Sequence, residues 1–181
     1  MKRIFAGLLF FLCAESAMAT EEPSYTVIEQ SSDFELRAYS PMIVAETQIS
    51  GPMDDASSAG FRLIADYIFG NNTSRAGGNE TISMTAPVSM EQTGEQWRVH
   101  FVMPSQNTLD TLPKPNNPAV SLREVPASNY AVIRFSGLVG EKERAAKTAE
   151  LMTWLDSKGI TPVGQPELAR YNPPWTLLDG L

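Results

Sequence analysis

An α+β fold is what this 181-residue sequence predicts: a pseudo-symmetric repeat forming a curved antiparallel sheet or distorted barrel with two helices on its outside. Three observations predict it. When Glu35 to Gly51 is laid over Ser121 to Gly137, Leu36 meets Leu122, Arg37 meets Arg123, Ala45 meets Ala131, and Ser50-Gly51 meets Ser136-Gly137, so the chain weakly repeats itself. A helical periodicity follows each copy. The other segments alternate apolar and polar residues and are rich in β-branched types, the pattern of half-buried strands.

In chain order, Tyr25 to Glu29, Phe34 to Tyr39 and Met42 to Ile49 read as strands. Asp54-Asp55 are charges suited to the first turn of a helix, where the backbone dipole is positive. Phe61, Ile64, Tyr67 and Ile68 then recur on one helical stripe and stop at Gly70. Asn71 to Glu80 is a polar Gly/Asn loop. Thr81 to Met90 and Trp97 to Met103 alternate as strands, whereas Pro104 to Pro118 holds four prolines, which argue against regular structure. Val120 to Val125 and Tyr130 to Phe135 are further strands. Ala145, Ala149, Met152 and Leu155 make a second helical stripe that ends at Gly159. Two helices with one apolar stripe each should lie on a sheet.

The first nineteen residues read differently. Lys2 and Arg3 precede the apolar run Ile4 to Ala14, and Ala17-Met18-Ala19 offers the small residues of a signal-peptidase site. Residues 1–19 are therefore expected to be removed, leaving one domain over 20–181 in the periplasm or outside the cell. The apolar run is too short to span a bilayer, and no later run is long enough. The single cysteine, Cys13, lies in this leader behind Phe10-Phe11-Leu12, which lacks the small residue of a lipoprotein site, so the mature chain is expected to hold no thiol. Without Lys2, Arg3 and Glu15, the 14 basic and 21 acidic residues become 12 and 20. A phosphate backbone would repel that surface, and no basic cluster offsets it, which argues against nucleic acid as a partner.

Catalytic constellations are absent from the pattern. With one histidine, His100, and no mature cysteine, neither a Cys-His pair nor a His/Cys metal cluster can be assembled, and no feature signals an enzyme. His100 shares a strand face with Arg98 and Val102, as a half-exposed strand histidine would. As an axial haem ligand it would need that face to line a pocket.

The run Thr81-Ile82-Ser83-Met84-Thr85-Ala86-Pro87-Val88-Ser89-Met90 carries the most specific signal. With the strand closing on Phe101-Val102-Met103-Pro104, with Tyr67-Ile68-Phe69-Gly70-Asn71 before it and Tyr171-Asn172-Pro173-Pro174-Trp175 after it, it resembles the SOUL / haem-binding protein family over Tyr25 to Leu178. The resemblance implies the same pseudo-symmetric fold and non-catalytic binding of haem or another tetrapyrrole. Some members carry a proposed ligand histidine at the place of Ala38, which cannot coordinate iron, so the resemblance implies an apolar groove with polar or basic groups near the propionates. Candidates for that groove are Phe61, Ile64 and Ile68 with Arg62 beside them, Met84 and Met90 on the next strand, and Tyr171 and Trp175 near the end. Simple core packing is the competing reading of each apolar one, and eight methionines do not themselves indicate a cofactor. The absence of a histidine at Ala38 also leaves open an interaction or ligand-binding module of the same fold for a non-tetrapyrrole partner. Relatives usually carry one more strand after the Tyr-Asn-Pro-Pro segment; here Leu177-Leu178-Asp179-Gly180-Leu181 is too short for it, and a shorter sheet edge is expected.

Overall fold

The structure, a computed structural model, describes residues 20–171; the leader, Trp175 and the C-terminal residues around it lie outside the described residues. The elements run β1 (Tyr25–Ser31), β2 (Phe34–Tyr39), β3 (Met42–Ser50), α1 (Met53–Ile68), β4 (Asn72–Thr73), β5 (Val88–Thr93), β6 (Gln96–Val102), β7 (Lys114–Pro115), β8 (Ser121–Val125), β9 (Ser128–Ile133), α2 (Glu141–Ser157) and β10 (Glu167–Arg170). They form a three-stranded sheet in the order β1-β2-β9, a five-stranded sheet in the order β10-β5-β6-β3-β8, and the small ladder β4-β7. The pairings between these strands are antiparallel, so the α+β class stands, as separate sheets rather than one closed barrel.

The sequence repeat is a structural one, and its strands cross over. β2 and β3 precede α1 as β8 and β9 precede α2. The first strand of each copy pairs with the second strand of the other: Leu36 with Ala131 and Arg37 with Tyr130 on one side, Leu122 with Ala45 and Arg123 with Val44 on the other. These registers are images of each other under the repeat, and Leu36/Leu122 and Ala45/Ala131, identical in the sequence alignment, occupy the equivalent pairs. The repeated Ser-Gly has a backbone cause. Gly51 and Gly137 take φ of 114° and 113° between a strand and a helix, a conformation that glycine adopts without steric cost.

α1 packs across β3 and β6. Its inward side carries Met53, Ala56, Gly60, Ile64, Tyr67 and Ile68, on the sheet face that presents Ala45, Met90, Trp97, Val99 and Phe101. Contact is close because residue 60 has no side chain: a Cβ there would lie 2.7 Å from Val99 Cβ and Cγ2. The Tyr67 hydroxyl donates to the Pro113 carbonyl at 2.9 Å, and burial pushes its pKa up to about 12. Asn72, which falls in the expected loop, is sealed from solvent. Its amide donates to the carbonyls of Tyr67 (2.8 Å) and Glu80 (2.7 Å) and accepts from the Glu80 N–H (3.0 Å), fastening the loop to the end of the helix.

Several expectations are corrected. The strand expected from Thr81 begins at Val88, because Pro87 has no N–H for a ladder; Thr85 instead makes an isolated bridge to Glu21. The strand expected over Tyr130 to Phe135 runs instead over Ser128–Ile133. The proline-rich stretch contributes the two-residue β7, short enough to tolerate Pro115 at an edge. β10 had no counterpart in the reading of the sequence. In α2 only Leu155 of the expected stripe is buried, and Ala145, Ala149 and Met152 face solvent. Alanines offer little area, whereas Trp154 stacks on Phe34 with centroids 5.2 Å apart, so the aromatic residue sets which side turns inward.

Candidate functional site

The large sheet has two unlike faces. Toward α1 lies the apolar core, and here the residues picked for a groove separate. Ile64 and Ile68 are 0% exposed and Met90 is 3%, so they build the core behind the surface rather than the surface itself. Phe61 and Met84 are half-buried against that core, with the Phe61 ring 5.6 Å from that of Phe101. Arg62 is exposed beside Phe61, and Leu63 is half-buried on the same turn. Tyr171 lies elsewhere, hydrogen-bonded to Arg37 of β2; burial and the neighbouring Tyr39 push its hydroxyl up to about 12 against the pull of that guanidinium.

The opposite face of the large sheet is polar. Strand register places Ser89 and Glu46 laterally beside His100, Glu91 beside Arg98 and Glu167 beside Glu91. Arg98 donates through Nε to Glu91 at 2.6 Å, and Arg123 donates through Nε to Glu46 at 2.9 Å. His100 Nε2 is 3.4 Å from a Glu167 oxygen. Burial works against ionisation of Glu167, yet hydrogen bonds from His100 and Ser89 and the charges of His100 and Arg98 hold its carboxyl below the ordinary value. His100 is only 8% exposed, which corrects the half-exposed expectation, although it does share its face with Arg98 and Val102 as expected. Tyr130 of β9 brings the small sheet to this face; burial and then the Glu167 and Glu91 carboxylates push its hydroxyl up.

The inner face of the small sheet continues the pattern. Arg37 and Glu35, both buried, pair at 2.7 Å; Arg37 also donates to the Tyr39 hydroxyl at 3.0 Å and lies 4.2 Å from the Tyr25 ring centroid. The signal for this interior was present in β2, where Glu35, Arg37 and Tyr39 alternate with Phe34, Leu36 and Ala38. A polar strand face is ordinarily a solvated one; here it is enclosed. Ala38 belongs to the other side, the one on which Phe34 stacks on α2. Ala38 and the α1 surface therefore lie on different sides of the molecule.

In chemical terms, the α1 surface offers apolar area with one cation, and the interior offers paired charges. Among the described residues no group of His, Cys, Asp and Glu could hold a metal ion, and no helix is long and apolar enough to cross a membrane. No curated protein matches the chain. The model of the family described as SOUL heme-binding protein matches residues 20–179. With the crossed repeat and its two flanking helices in place, that match, which covers all of the described residues, identifies the chain as a member of the SOUL heme-binding protein family.

Proposed function

We propose that this chain binds haem or another tetrapyrrole, without acting on it chemically, on the α1 side of the large sheet around the half-buried Phe61 and Met84. The family match over residues 20–179 carries the reading. The residues fit the group in kind: a flat ring needs apolar area, and its propionates need a cation, which Arg62 supplies on the same turn as Phe61. His100 lies on the other face of the large sheet and is turned to Glu167, so it is not the iron ligand of a porphyrin held there. Titration with hemin, followed at the Soret band, is the test. Phe61→Ala should weaken hemin at least about tenfold, a loss of about 1.4 kcal/mol, in protein shown folded by circular dichroism. His100→Ala should change affinity by less than that. Equal affinity in folded Phe61→Ala and parent would remove Phe61 from the site.

Ala38 favours a second reading, the same fold as an interaction or ligand-binding module for a non-tetrapyrrole partner. A Soret band left at the position of free hemin supports that reading. For location, we propose a mature chain beginning at Thr20 in the periplasm or medium. In support, Glu21 is already built into the domain: its carbonyl accepts the Ala86 N–H at 2.9 Å and its carboxylate the Ser105 N–H at 2.7 Å. Intact mass of the exported protein decides it, and retention of Met1 would refute it.

A further inference from the structure

Past the C-terminal end of α1, the small ladder β4-β7 and the proline-rich segment before β7 meet the edge strand β8 of the large sheet. Between them lies an open groove of about 450 Å³, a size ordinary for a small-molecule site. Its walls are aliphatic: Leu109, Leu112 and Pro115 come from the proline-rich segment and Leu122 from β8, and no aromatic side chain lines it. Leu112 is 4% exposed and roots the wall in the core, whereas Leu109 leaves 40% of its surface to solvent.

These walls are fixed in advance. Leu109 and Leu112 sit on a turn in which the Thr111 and Leu112 N–H groups each donate to the Thr108 carbonyl at 3.0 Å, while the Thr108 N–H donates to Thr111 Oγ1 at 2.8 Å. On the β4 side, the Thr73 hydroxyl donates to Asn116 Oδ1 at 2.7 Å, and the buried Asn72 ties the same strand to α1. A preformed apolar trough does not have to be ordered by its ligand, which lowers the cost of binding.

The charge beside the walls is positive. Arg75 and Lys114 both line the groove, in a chain whose 21 acidic residues outnumber its 14 basic ones. Arg75 pairs with Asp110 at 2.9 Å, but the two side chains are 70% and 91% exposed, and a pair so open to water contributes little and is readily exchanged for another anion. Lys114 is exposed and has no carboxylate partner among the described residues. Aliphatic walls with cations beside them are complementary to an alkyl chain with an anionic head. They lack the flat aromatic surface on which a macrocycle would stack.

We propose that this groove binds a fatty acid, with the alkyl chain along Leu109, Leu112 and Leu122 and the carboxylate held by Lys114 and Arg75. The site is separate from the tetrapyrrole surface, since neither Phe61 nor Met84 lines it.

Calorimetric titration of the whole chain with dodecanoate, kept below its micelle concentration, tests the assignment. Dodecanoate should bind saturably at a single site, and dodecyltrimethylammonium, with the same chain and the opposite head charge, at least about fivefold more weakly. Lys114→Glu and Leu109→Asp, both at exposed positions, should each weaken dodecanoate by at least about fivefold in protein shown folded by circular dichroism. Saturating hemin should leave dodecanoate affinity unchanged, and Lys114→Glu should leave the Soret titration unchanged. The absence of saturable binding, equal affinity for the cationic analogue, or undiminished affinity in the two folded variants would overturn the site. Displacement of dodecanoate by hemin would overturn it as well, by making the groove part of the tetrapyrrole surface.

Discussion

The two helices follow equivalent strand pairs, leave equivalent Ser-Gly turns and are of nearly equal length, yet they are held in different ways. α1 sinks seven of its residues into the core and brings its backbone against Val99 at Gly60. α2 buries only Leu155 and packs near β9, with Trp154 stacked on Phe34 of β2 and Lys158 reaching Glu29 at the edge of the small sheet. The asymmetry comes from what lies beneath. β5 and β6 extend the large sheet under α1, whereas the small sheet offers α2 only β9 and its neighbours. A repeat thus conserves backbone geometry while sequence divergence decides which copy carries the core.

The arginine pair separates the halves most sharply. Arg37 and Arg123 are equivalent in the repeat, but Arg37 and its Glu35 are both buried while the Arg123 side chain is 37% exposed. Arg37→Ala, which strands a buried carboxylate, should cost about 3 to 5 kcal/mol in denaturant unfolding. The same change at Arg123 should cost about 1 kcal/mol or less. Equal losses would mean that the interior is as wet at β2 as at β8.

Next come the helices themselves. Ile64→Ala should cost about 2 to 5 kcal/mol, because it opens a cavity against the sheet. Met152→Ala on α2 should stay within about 0.5 kcal/mol, as for a surface position. Gly60→Ala should destabilise by about 1 to 3 kcal/mol through overpacking against Val99, even though alanine is the better helix former. At the equivalent Ala146, exposed on α2, the reverse change to glycine should cost about 1 kcal/mol from helix propensity alone. A small effect is also expected at Lys158: removing its pair with Glu29 should cost about 0.2 to 1 kcal/mol and less in high salt. A stabilised Gly60→Ala variant would show that α1 can move off the sheet.

Much of the fold was legible because period and repeat are local properties: β2, β3, β6 and α1 stand where alternation and helical spacing put them. A missing donor overrides side-chain pattern at Pro87, where the strand starts only at Val88. At α2 one aromatic residue outweighs a row of alanines. β10 is too short to show an alternation of its own and is defined only by its partner β5. The site was less legible than the fold. Burial separates Ile64 and Ile68 from Phe61, and nothing in a helical stripe says which of its members is sealed. Equally, Glu35, Arg37 and His100 look solvated in sequence and are buried: Glu35 and Arg37 pair with each other on β2, and His100 faces Glu167 of β10, a partner far away in the chain.

The crossed pairing of the repeat has a consequence for how the molecule can be assembled. Since β2 closes on β9 and β3 on β8, neither half contains a sheet it can finish alone, and the first strands made must wait for the last third of the chain. Such pairings carry a high loop-closure entropy and belong to topologies that fold slowly. The same crossing means that two fragments cut between β7 and β8 would each expose the edges that the other covers. They would be expected to reassociate as a complementing pair rather than persist as separate folded pieces.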